Sequence, residues 1–146
     1  MEISGKRLFL LYSFPCAEGR HMRGHIDREH LDRLCMLVKN GGEPTTQLLR
    51  YCFPHAVRRL REYADKIGAD RWSLATVADF WRHHHGHKGD CRVILGKTLK
   101  VISPIIVIMT DDKGDAFKVI NIYGHAVAPG DRFYLHFRVL IEKEEN

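Results

Sequence analysis

The spacing of apolar residues changes once along this chain, near residue 87, from a helical period to a strand period. Before that point, "HIDREHLDRLCMLVKNGG" carries Leu31, Leu34 and Val38 on one stripe, with Asp27 as N-cap and Gly41 as stop. "TTQLLRYCF" predicts a short helix broken before Pro54. "PHAVRRLREYADKIG" has Pro54 in its first turn and repeats Val57, Leu60, Ala64 and Ile67 before Gly68. "SLATVADFWRHHH" offers Ser73 as a cap, with Leu74, Val77 and Trp81 on a shared face. Four helices with short connections predict a helical module over residues 1–86.

After His87, "CRVILGKTLKVI", "IIVIMT", "AFKVINIYG" and "RFYLHFRVLIEK" are β-branched and aromatic runs with partial alternation. "DDKGD" and "APGD" separate the later runs as turns, and Pro104 suits a bend. Four or five short strands within residues 87–146 predict a small OB-like β-barrel, because an open sheet of this size leaves its edges exposed. The expected fold class is therefore α+β, a helical N-terminal module followed by an OB-like barrel. Glycines and adjacent histidines in "HHHGHKG" predict a loop at the junction.

Composition excludes several classes. With 45% apolar and 28% charged residues the chain reads as globular, not disordered. No run approaches the ~18 apolar residues of a membrane span. The apolar part of "MEISGKRLFLLYSFPCAEG" is short and follows an acidic residue, unlike an export signal, so a cytoplasmic location is expected. The net charge of +5 is mild. Its basic surplus includes Arg58, Arg59 and Arg61 and reads as a solvated helix face rather than a concentrated nucleic-acid stripe.

Cys91 poses the chemical question. It stands at the mouth of "DCRVILGK", just after His83, His84, His85 and His87. It is a buried structural thiol, a metal ligand shared with those histidines, or the working atom. Cys16, Cys35 and Cys52 form no CxxC pair, and Cys35 and Cys52 lie in helical patterns as small hydrophobes. A structural zinc site is not expected, since neighbouring histidines in one loop cannot all point at one ion. A Cys91–His136 pair would suit a cysteine hydrolase if the first and last strands meet. The sequence names neither an orienting partner nor an oxyanion donor, and no enzymatic activity is expected. Asp111, Asp112 and Asp115 lack the spacing of a calcium loop and read as a hairpin turn.

From Cys91 onward the chain resembles the HypC/HupF family of hydrogenase-assembly chaperones, whose members open with Met-Cys-Leu-Ala-Ile-Pro-Gly-Lys. Here "CRVILGK" keeps Cys91, Ile94, Gly96 and Lys97 in register. The family ends with Gly-Asp, a strand, a histidine and an apolar strand leading into acidic residues. "GDRFYLHFRVLIEKEEN" matches with Gly130, Asp131, His136 and Ile141, then Glu142, Glu144 and Glu145. The resemblance implies a barrel that carries the iron–cyanide–carbonyl fragment of [NiFe]-hydrogenase. Cys91 would contact the iron or a partner, with His136 as companion, and soft thiolate ligation suits such iron. The implied partners are an assembly scaffold protein and the hydrogenase large subunit. This chain departs from the family in the long segment before Cys91, in Leu95 where the family has proline, and in Arg138 where it has glycine.

A second reading is an OB-like nucleic-acid-binding module. Phe133, Tyr134 and Phe137 would offer stacking surfaces, and the Arg58–Arg61 helix phosphate contacts.

Overall fold

A computed structural model describes residues 3–86 and 92–145. The chain divides into two compact units, Met1–His85 and Gly86–Asn146.

Among the described residues the first unit holds six α-helices: α1 (Gly5–Ser13), α2 (Ala17–Met22), α3 (Arg28–Asn40), α4 (Thr46–Cys52), α5 (Pro54–Ile67) and α6 (Leu74–Asp79). Local chemistry sets most of their ends. Asp27 accepts from the His30 N–H at 2.9 Å to start α3, and Ser73 accepts from Thr76 N–H at 3.2 Å to start α6. Gly41 and Gly68 end α3 and α5 in the left-handed region, at φ 75° and 69°.

Helices α1 and α2 add to the four predicted from the sequence. Leu8, Phe9, Leu10 and Tyr12 of α1 are all buried, so this helix is apolar nearly all round and shows no clean stripe. Ser4 caps it, accepting from Arg7 N–H at 3.0 Å. Tyr12 stacks on Trp81 with ring centroids 5.5 Å apart, and Phe9 meets Trp81 edge-on at 5.2 Å. Gly5 lies against the Trp72 carbonyl with no room for a Cβ, which brings α1 close to the start of α6.

The second unit is a closed five-stranded barrel: β1 (Ile94–Val101), β2 (Ile106–Thr110), β3 (Ala116–Ile120), β4 (Arg132–His136) and β5 (Val139–Lys143). Around the barrel the order is β1-β2-β3-β5-β4. Every pair is antiparallel except β3 with β5, which meet in parallel at Ile120 and Val139. This is the small OB-like barrel expected from the sequence. Its interior is filled by Val107, Met109, Val119, Phe133, Leu135 and Leu140. A bulge in β1 between Thr98 and Lys100 leaves Leu99 exposed. Among the described residues no helix is long and apolar enough to cross a membrane.

Candidate functional site

Antiparallel pairing of β1 with β4 brings together segments far apart in sequence. Ile94 faces Leu135, Leu95 faces Tyr134, Gly96 faces Phe133 and Lys97 faces Arg132. The start of β1 therefore lies beside the end of β4, where His136 is fully buried with its ring edge-on to Phe137 at 5.1 Å. Cys91 and His87 lie outside the described residues.

At this end the barrel opens into a cleft of about 340 Å³. Ile94, Phe117 and Leu135 supply apolar lining, and Phe137 borders it at 40% exposure. Charged groups join them from three elements: Arg92 before β1, Asp111 and Asp115 from the β2–β3 turn, and Arg138 from the β4–β5 turn. Asp111 is committed to its own turn, accepting from the N–H groups of Lys113 and Asp115 at 2.9 and 3.0 Å. The Arg138 guanidinium carbon stands 5.7 Å from the Phe117 ring centroid. Arg92 and Asp115 make no side-chain hydrogen bond or ion pair among the described residues, which leaves one cation and one anion open toward the cleft.

The β4–β5 turn is strained. Phe137 and Arg138 have φ of 52° and 57°, the left-handed region that non-glycine residues avoid. A two-residue hairpin needs positive φ at both positions and ordinarily uses Asn-Gly or Asp-Gly. Here the turn carries an aromatic ring and a guanidinium, both at the cleft.

The motif residues divide by role. Gly96 faces the barrel interior, where a Cβ would stand 2.9 Å from Leu135 Cδ1. Gly130 has φ 92°, and its N–H donates to Thr98 O at 2.8 Å. Asp131 Oδ2 accepts from Ala128 N–H at 2.9 Å, and its other oxygen lies 3.5 Å from Lys143 Nζ. These three residues build the barrel, while Lys97 is exposed on its outer face.

The described histidines of the junction divide between the end of a helix and the residues after it. Phe80–His84 continues α6 as a turn of π-helix, with Phe80 and Trp81 buried. His83 is exposed. His84 stacks on Tyr63 at 4.3 Å, with its Nε2 3.5 Å from Asp79 Oδ2. His85 is buried against Trp81 at 4.2 Å. Arg59 holds the end of this segment, donating to the carbonyls of His85 and His84 at 2.6 and 3.2 Å. The helix ends at His84; His85 and Gly86 lie beyond it, with Gly86 at φ 72°, and residues 87–91 lie outside the described residues. Among the described residues no group of three His, Cys, Asp or Glu side chains is placed to hold a metal ion.

One further expectation changes, and the basic helix is exposed as expected at Arg58 and Arg61. Phe133 is fully buried in the barrel core and offers no stacking face, whereas Phe137 is exposed. Within the Arg58–Arg61 helix, Arg59 is engaged as above, and Arg58 lies 3.7 Å from Glu62 and 2.7 Å from His55 Nδ1. Cys52 is buried, and desolvation pushes its thiol up to about 11.

Comparison with protein families, curated proteins and solved structures found no match to this chain. The cleft residues Arg92, Asp115, Phe117 and Arg138 carry no sequence motif. Asp115 read only as part of a turn, and Arg138 only as a departure from the family glycine.

Asn121 also escaped the sequence reading. It is buried, and its Nδ2 donates to the carbonyls of Pro104 and His125 at 3.1 and 2.9 Å. Its Oδ1 accepts from His125 N–H at 3.0 Å, so one side chain organises the turn after β3. An asparagine just before "IYG" is the local signal for such a turn.

Proposed function

We propose that this chain is an accessory protein of metalloenzyme assembly, of the kind that serves [NiFe]-hydrogenase, acting in the cytoplasm. Cys91, three residues before β1 in the sequence, contacts an iron–cyanide–carbonyl fragment or a partner that carries it, and the cleft receives the partner's contact. The iron is cargo, held transiently by a soft thiolate. His136 acts from inside the barrel as a positioning group behind Phe137, since a fully buried ring offers no nitrogen to an external ligand.

The observation that carries this reading is the β1–β4 register. It sets the strand that follows the "DC" of Cys91 against the strand that ends in His136, at the mouth of a cleft with open charges. The described parts of the two matched motifs thus lie on neighbouring strands of one barrel.

The test is anaerobic affinity purification from the native host of the wild-type chain and of Cys91→Ala. Iron is quantified and the infrared cyanide and carbonyl region recorded. Co-purification of a hydrogenase precursor or assembly scaffold, with iron and bands that vanish in Cys91→Ala, is the expected result. Identical partners without iron from both proteins would overturn the role of Cys91.

A further inference from the structure

The first unit carries a groove that the reading above does not use. It runs between α3 and the segment leading into α4 and encloses about 520 Å³. Met36, Leu37 and Leu48 provide apolar lining, and Glu29, Asp32 and Glu43 ring it with carboxylates. Met36 is 61% exposed and stands beside Leu37, with the buried Leu48 forming the floor. Thioether side chains so placed suit adaptable contact with another protein.

Three carboxylates surround this groove in a chain whose net charge is +5, so the acidic character is local. Arg33 is the single cation of the lining. Asp32 sits 3.9 Å from Arg28 in a solvent-exposed pair of small consequence, while Glu29 and Glu43 make no ion pair among the described residues. Beyond Arg33 and Leu48 a second depression of about 300 Å³ continues past Tyr51, which is exposed and stacks on His30 at 4.1 Å. The trough therefore extends along both helices.

We propose that this groove docks a cationic amphipathic helix from a protein partner. Apolar anchors one helical turn apart would enter between α3 and α4, and flanking lysines or arginines would meet Glu29, Asp32 and Glu43. An extended peptide is disfavoured because the described part of this unit contains no strand, and hence no sheet edge to extend. Complementary charge sets the choice of partner and speeds encounter more than it adds affinity. The inference rests on the helical unit alone and does not depend on the role of Cys91.

The experiment uses the full chain and a fluorescein-labelled peptide of about fourteen residues, roughly four helical turns of leucine and lysine in amphipathic spacing. A leucine–glutamate peptide of the same pattern is the control. Anisotropy should show saturable one-to-one binding of the lysine peptide that weakens with salt, and none of the glutamate peptide. Amide shifts should concentrate on residues 29–37 and 43–51. The double variant Asp32→Lys/Glu43→Lys changes only exposed positions and should weaken binding roughly tenfold. Met36→Glu should weaken it in a fold confirmed by circular dichroism. Equal binding of both peptides, shifts on other faces, or unchanged affinity in the double variant would overturn the proposal.

Discussion

Gly96 of β1 lies so close to Leu135 of β4 that a Cβ on the glycine would stand 2.9 Å from Leu135 Cδ1 and 3.4 Å from Met109 Cε. Both neighbours belong to the barrel core, so a side chain larger than a methyl must displace the ends of Leu135 and Met109 within close-packed surroundings. Gly96→Val is therefore expected to destabilise the barrel by about 2 kcal/mol through overpacking. Trp72 and Trp81 both lie in the helical unit, so tryptophan fluorescence is the wrong probe. Amide exchange at Lys97 and Thr98 should accelerate instead. Unchanged protection there would show that the core yields.

The strained β4–β5 turn makes an opposite prediction. Phe137→Asn with Arg138→Gly substitutes residues that tolerate positive φ and should remove about 1–2 kcal/mol of backbone strain. Loss of the Arg138–Phe117 contact offsets about 0.5 kcal/mol of that gain. Calorimetry should show a higher barrel Tm. Because both side chains lie at the cleft, the same variant should retain less partner in the purification described above.

Arg7 of α1 closes the far end of α3. Its guanidinium donates to the carbonyls of Leu37, Val38 and Gly42 at 2.5, 3.1 and 3.1 Å, a cation on the negative end of a helix. Arg7→Met keeps much of the apolar stem and should cost about 2 kcal/mol in urea unfolding followed by tryptophan fluorescence. Arg7→Lys should recover less than half, because an ammonium cannot span three carbonyls in one plane. Full rescue by lysine would mean that charge alone matters.

Asp27 predicts a pH response at the start of α3. The His30 backbone N–H donates to its carboxylate, and the His30 ring adds a second contact at 2.6 Å; together they hold Asp27 below its ordinary value of 3.8. A depressed folded-state pKa contributes stability that is complete above the unfolded value and disappears as pH falls through the folded one. An NMR titration of the Asp27 carboxyl should give a midpoint below 3.8, with the amides of residues 28–30 losing protection over the same range. Asp27→Asn keeps an acceptor for the cap and should abolish that response.

Cys52 should be the slowest described thiol. It is fully buried, and desolvation raises it to about 11, whereas Cys16 and Cys35 are half-buried. At about pH 8 an aromatic disulfide reagent should modify Cys52 only on unfolding. Rapid modification in the native state would mean that α4 opens readily.

Much of the helical unit was legible because its signals are local. Asp27, Ser73, Gly41 and Gly68 each act within a few residues of themselves, and the helices they bound appear where the periodicity put them. Helix α1 was not legible, since burial around most of its circumference blurs the stripe on which periodicity depends. The surroundings of the histidines were not legible for a related reason. Whether His85 faces solvent or Trp81 is decided by the core around it, not by its sequence neighbours.

By itself the sequence determined a two-part chain, a helical period followed by a strand period, with caps, stops and turns that depend on near neighbours alone. Barrel closure, the parallel meeting of Ile120 with Val139 and the β1–β4 register were decided only in three dimensions, because strand pairing depends on partners distant along the chain. That register also made the candidate site. It brought Ile94 to Leu135, while the β1–β2 and β2–β3 pairings added the turn that carries Asp115, so that Arg92, Asp115 and Arg138 line one cleft that no local pattern encodes.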